Sequence, residues 1–257
     1  MSITKLFDFA VCPKYNDAIK YLAENIADKE CWDFNSTEKG YKILKNYIDY
    51  TFRKLYSESK IIFSNDNKFA CFNTGLNTPY LEDIFMFFEK NRNINTRTSY
   101  DWCFKAFIKE SDNRILTNFT QKPPRANYFE KPENLIFNAS LEIIPDLDHI
   151  ISDNLERFPT ELQENKDELR RRLIGAIDEV KKKVRTNYKI AIPQYFNGEI
   201  QLLLPLNLTS GSSNPDLALV IYKAGNNYSG RTCLTLKMAY TNARLIVKPQ
   251  SEWLKAN

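Results

Sequence analysis

The last third of the chain holds four apolar runs of strand length, NYKIAIPQYF, GEIQLLLPLNL, DLALVIYKA and TCLTLKM, each closed by turn-forming residues. Asn197-Gly198 divides the first pair, the SGSSNP loop the second, and residues 226–230 the third. Asn-Gly between two such runs marks a two-residue hairpin, because both turn positions need a positive φ that Asn and Gly tolerate best. A chain with this ending is expected to build a mainly antiparallel C-terminal sheet. AYTNARLIV and the final SEWLKA would pack against it as helical or irregular segments.

Upstream the period changes from two to 3.6. Residues 160–185 carry Leu162, Leu169, Leu173, Ile177, Val180 and Val184 on one stripe, which predicts a long amphipathic helix. Its other face holds RRR at 170–172 and KKKVR at 181–185. Those clusters invite a nucleic-acid reading. However, Asp167 with Arg171, Glu168 with Arg172, Asp178 with Lys182 and Glu179 with Lys183 are i,i+4 pairs in the favourable order, so a solvated helix face explains them.

The N-terminal part reads as helical with a short hairpin. ITKLFDFAV alternates like a strand, and residues 15–27 and 38–58 have helical spacing, with Ser36 or Thr37 as the cap of the second helix. KIIFSNDNKFACFNTGL predicts a hairpin turning at residues 64–67, with Gly75 ending its second strand. Residues 79–91 open on proline and place Ile84, Phe87 and Phe88 on one side, as a short helix would. DWCFKAFIKE alternates as a strand, and residues 120–144 read as loop with a short strand at 135–137. The fold class is therefore α+β. The 257 residues are expected to form a single domain, or two fused halves meeting near 145–160, without an internal repeat.

Composition narrows the chemistry. Hydrophobic residues make up 43% and aromatics 13%, enough for a substantial core without disulfide or metal staples. The net charge of +4 permits contact with a polyanion without requiring it. Five dispersed cysteines, none in a CxxC pair, and one histidine make a zinc site unexpected, and no metal ligand set or cofactor is assigned. Walker A, GxGxxG, HExxH and GxSxG motifs are absent. The chain has neither a signal-like start nor an apolar run approaching about 18 residues, so a soluble cytoplasmic protein without membrane contact is expected.

Four groups of polar residues are site candidates. In DHIISDNLERFP, His149 is the single imidazole and the natural acid or base near neutrality, with Asp148 or Asp153 to orient it and Arg157 to hold an anion. Asn154 lies one helical turn from Arg157. His149 would equally serve as a ring bonded to a backbone carbonyl. Tyr240, Asn242 and Arg244 follow a strand, where Asn and Arg suit a base edge or a phosphate, although Asn242 would also cap a turn. Gln201 needs a buried partner or an outward face, and Gln194 and Tyr195 could converge with it. Asn73, Thr74 and Gly75 in FNTGL could cradle a phosphate or form an ordinary turn.

FNTGL, PRANYFEKPENLIF, DHIISDNLERFP, IQLLLPLNL and the stretch from LALVIYKAG to SEWL together resemble the prokaryotic family called domain of unknown function 3825, from about residue 7 to 254. The family carries no established reaction. The frequent fusion of its members to cold-shock or LOTUS-type modules implies an RNA-related or nucleotide-related role, with a separate RNA-binding partner protein as one route to recognition. Asn73, Gly75, Tyr128, His149, Arg157, Gln201, Tyr240, Asn242 and Arg244 match its pattern and are carried over as pocket candidates. The expected function is RNA or nucleotide binding through a phosphate-binding pocket, with metal-independent phosphodiester or phosphoryl chemistry using His149 and Arg157 if the protein is an enzyme. The alternative is a non-catalytic sensor or adaptor in a bacterial stress or antiviral system. A third expectation is homo-oligomeric assembly through the apolar C-terminal strands.

Overall fold

The structure, a computed structural model, describes residues 5–34, 40–92, 100–209, 214–251 and 253–255. They form two compact units, Met1–Asn127 and Tyr128–Ala256, and the segment 145–160 lies inside the second. The architecture is α+β.

The first unit runs α1 (Leu6–Phe9), β1 (Ala10–Val11), α2 (Tyr15–Tyr21), a π-helical turn (Leu22–Ile26), α3 (Lys42–Ser57), β2 (Ile62–Phe63), β3 (Phe69–Asn77), β4 (Asp83–Lys90), β5 (Trp102–Lys109) and α4 (Asn113–Asn118). Strands β2 to β5 form an antiparallel meander, and β1 lies parallel to β5 with Val11 opposite Cys103, giving the order β1-β5-β4-β3-β2. The alternating start is a strand only at its last two described residues. Leu6–Phe9 is a helical turn because the Asp8 carboxylate accepts the Lys5 N–H at 2.9 Å and Asp49 that of Leu6 at 3.0 Å. Ser36 and Thr37 lie outside the described residues, and α3 is entered through Tyr41.

Residues 83–90 are the main departure from the expected helices. Ile84, Phe85, Met86, Phe87 and Phe88 are all buried in a strand, because the sheet is covered on both sides. Phe88 packs with Phe72 and Phe9, and Phe72 in turn meets Phe52 of α3; Phe85 and Phe87 join Cys71, Ile108 and Ile115 in a separate cluster. A strand buried on both faces has no apolar-polar alternation, and Pro79 belongs to the preceding turn. Gly75 does not end β3 either: the strand continues to Asn77, with an irregularity between Asn73 and Asn77.

Glu58, just after α3, draws the end of this unit together. Its carboxylate meets Lys54 at 2.8 Å and Lys60 at 2.7 Å, and accepts the Asn127 N–H at 3.2 Å. Burial pushes its pKa up, but the two ammonium groups and the amide outweigh burial and hold it below the ordinary value. The Glu58→Gln variant is expected to lose about 1–2 kcal/mol at pH 7. Because the folded pKa is the depressed one, this stabilisation is full above the unfolded carboxylate range and disappears as pH falls through the folded value. Urea midpoints should therefore differ between variant and wild type at pH 7 and converge in acid; a constant difference across pH would contradict the assignment.

The second unit runs β6 (Glu142–Pro145), α5 (Leu147–Asn154), α6 (Thr160–Gln163), α7 (Lys166–Thr186), β7 (Ile192–Phe196), β8 (Glu199–Leu206), β9 (Leu217–Ala224), β10 (Asn227–Thr235) and α8 (Leu236–Ala243). Its order is β6-β10-β9-β8-β7, with β6 parallel to β10 and the other neighbours antiparallel. This is the plan of the first unit: an opening strand, helices ending in a long one, a four-stranded meander and a closing helix, with the opening strand parallel to the last at the edge. The sequence contains no repeat, yet the topology is repeated.

The expected long helix is divided at Asn165, whose side chain caps α7 by accepting the Glu168 N–H at 3.0 Å. The apolar stripe is buried, while Glu168 pairs with both Arg171 and Arg172, and Lys183 with Glu179. Asp178 meets Lys181 at 4.0 Å rather than the expected Lys182. The Asn197-Gly198 turn forms as expected, with φ of 49° and 89°. The next tight turn is at Gly225 and Asn226, so residues 227–230 belong to β10. Residues 132–135 make a 3₁₀ turn, and the strand expected at 135–137 occurs later, at β6.

Candidate functional site

Asn73 and Gly75 belong to the first unit, and the other eight candidates to the second. FNTGL shapes the β3 irregularity. Asn73 Oδ1 accepts the Gly75 N–H at 2.8 Å, Asn73 Nδ2 donates to Asp83 at 2.9 Å, and Thr74 Oγ1 accepts the Leu76 N–H at 3.2 Å. The amides that would cradle a phosphate are thus engaged within the chain.

In the second unit, Asn154 and Arg157 close a sheet edge. Pairing between β6 and β10 ends at Pro145 opposite Gly230, leaving the following β10 backbone without a neighbouring strand on that side. Arg157 Nη1 donates to the Cys233 carbonyl at 2.7 Å and to Asn154 Oδ1 at 2.5 Å, while Thr232 Oγ1 donates to Asn154 Oδ1 at 2.8 Å. Asn154 is 1% exposed and donates to the Ile150 carbonyl at 3.0 Å. Burial pushes the adjacent Cys233 thiol up to about 12 against the opposing pull of Arg157, so at neutral pH it is protonated and a poor nucleophile.

A second bonded group joins β7, β8 and α8. Gln194 Nε2 donates to Gln201 Oε1 at 2.8 Å, and Asn242 Nδ2 donates to Gln194 Oε1 at 3.1 Å. Gln201 therefore has the partner its apolar neighbourhood requires. Thr235, rather than Asn242, caps α8. Tyr240 and Arg244 are buried, and Tyr128 packs edge-on against Tyr195 with ring centres 5.0 Å apart. His149 sits on α5 with 39% of its side chain exposed and Nδ1 3.2 Å from Asp153. Among the described residues no three His, Cys, Asp or Glu side chains are grouped to hold a metal ion, and no helix is long and apolar enough to cross a membrane.

The second unit also contains a hollow of about 350 Å³ that the sequence reading did not single out. Its floor is the α7 face bearing Ala176, Val180 and Lys183. The helix ends at Asn187, whose side chain accepts the Lys189 N–H at 3.2 Å and shapes a 3₁₀ turn through Ile190, so β7 begins only at Ile192. Pairing of β7 with β8 reaches no further than Leu203, which frees Pro205 and Asn207 to line the space. Gln250 and Trp253 complete the wall, and the Trp253 indole N–H donates to the Ile190 carbonyl at 3.0 Å. Lys183 pairs with Glu179 at 2.5 Å; Lys189 is exposed and, among the described residues, forms no ion pair. The arrangement offers an apolar floor, an indole, three amides and two ammonium groups.

Apart from the α7 floor, these groups come from irregular segments, where hydrophobic periodicity has nothing to register. The one available signal was a tryptophan in the polar stretch KPQSEW. The model of the family described as domain of unknown function 3825 matches residues 23–253. No curated protein and no solved structure matches the chain.

Proposed function

The chain belongs to the domain of unknown function 3825 family, and from that premise we propose that it is an RNA-associated or nucleotide-binding protein that holds its ligand in the second-unit hollow. The carrying observation is the composition of that hollow: a planar ring, amides with both donors and acceptors, and the Lys189 ammonium, which forms no ion pair among the described residues. A base needs a flat apolar surface and hydrogen-bonding groups for its edge; a phosphate needs a cation. The lining favours binding over turnover. Its one carboxylate, Glu179, is paired with Lys183, and His149 is not among the lining residues. A ligand-holding sensor or adaptor follows more directly than phosphoryl transfer.

Binding of a fluorescent single-stranded RNA, measured across a salt series, tests this reading. With Lys189 unpaired among the described residues and Lys183 paired with Glu179, log K should fall with log salt at a slope between about −0.7 and −1.4. The His149→Ala variant should bind as wild type does. Failure to bind RNA or any nucleotide at millimolar concentration would remove the proposal.

A further inference from the structure

Resting on that reading, we infer that the hollow is a subsite for one phosphorylated nucleotide, with the base against Trp253, its edge met by the Asn187, Asn207 and Gln250 amides, and the phosphate held by Lys189. The volume of about 350 Å³ lies at the lower end of the range for small-ligand sites, which suits a single nucleotide and not a strand. Five chain segments converge to form it: the α7 face, the turn before β7, the end of β8, Pro215 before β9 and the segment around Trp253.

The repeated topology supplies an independent comparison. In both units the long helix packs on the second strand of the meander, α3 on β3 and α7 on β8. In the first unit this region is filled by aromatic side chains: the Trp32 and Tyr47 rings pack with centres 6.0 Å apart, and the Tyr47 hydroxyl lies 2.6 Å from where a Gly75 Cβ would stand. In the second unit α7 presents the small Ala176 to the hollow. One copy of the plan has packed this space and the other has kept it open. Trp253 is held as a wall by its bond to Ile190, leaving the ring in place before a ligand arrives.

Lys189 gives the site its sign. Lys183 is paired with Glu179, so among the described residues an anionic group entering the hollow finds its cation at Lys189. The phosphate contributes charge and the base contributes stacking and edge contacts, so neither half alone should bind as well as the whole.

Calorimetric titration of the full chain with nucleoside 5′- and 3′-monophosphates, the parent nucleosides, ribose 5-phosphate, inorganic phosphate and a single-stranded RNA tests this. A monophosphate should bind at least about tenfold more tightly than its nucleoside or ribose 5-phosphate. Lys189→Glu, at an exposed position, should remove that advantage and leave nucleoside binding unchanged. Ala176→Phe should fill the hollow and abolish binding of both, with thermal unfolding recorded to verify that the unit remains folded. Ribose phosphate binding as tightly as the nucleotide, or monophosphate binding indifferent to Lys189→Glu, overturns the inference. RNA binding that survives while every monophosphate fails leaves the RNA reading standing and sinks the nucleotide subsite; absence of binding to all the probes sinks both.

Discussion

Replacing Gly75 with alanine should destabilise the first unit by about 3 kcal/mol, and a second change, Tyr47→Phe, should make the alanine far less costly. Gly75 has a φ of 77°, and a Cβ there would lie 2.6 Å from the Tyr47 hydroxyl but 3.8 Å from the ring carbon that bears it. Two costs therefore coincide. The left-handed backbone costs alanine about 1–2 kcal/mol wherever it occurs, while the steric conflict depends on a single oxygen. In the Tyr47→Phe background only the backbone cost remains, so the coupling between the two substitutions should be about 2 kcal/mol. Urea unfolding of the four proteins, monitored by Trp32 fluorescence, measures it. An equal alanine cost in both backgrounds would show that the hydroxyl does not occupy this space.

Asn154→Leu should cost the second unit about 3 kcal/mol despite the same branching of the side chain. The substitution removes the acceptor shared by Arg157 and Thr232 and the donor to the Ile150 carbonyl, leaving a partly buried guanidinium with fewer partners. Five residues away, His149→Ala should cost less than about 0.5 kcal/mol, since it loses only a partly exposed pair with Asp153. Hydrogen exchange at β10 is the suitable readout, because a chain of two units need not unfold in one step. Protection lost at residues 231–235 is expected for Asn154→Leu; unchanged protection would mean that the edge is held by other contacts.

The elements legible in the sequence are those with one buried face. The α7 stripe and the Asn197-Gly198 hairpin combine a clear period with suitable capping or turn chemistry, and α3 shows the period alone. β4 was obscured by burial on both faces, which erases alternation and leaves a run that fits a helix as well. The start of α1 depended on Asp49, distant in sequence, and the repeated topology depends on strand pairings that leave no shared residues to read. Gln201 stood out as a polar group needing a partner, and Arg157 and Asn154 as groups facing a ligand. The partners proved to be other parts of the chain, because an interior amide and a ligand-contacting amide look the same until neighbouring strands are placed. Lys189, Asn207 and Trp253 were missed for the opposite reason: each follows the end of a regular element and has no period to reveal it.

The parallel edge strand has a consequence for how the protein is made. β1 cannot acquire its partner until residues 102 and 103 have left the ribosome, and β6 must wait in the same way for residues 227–230. Each sheet is thus completed by its most distant pairing, which places the slow, long-loop step last. During synthesis the first unit can finish this closure while the second is still emerging. Slowing translation once residues 102 and 103 have emerged from the ribosome, while the second unit is still being synthesised, should therefore favour productive folding of the nascent chain.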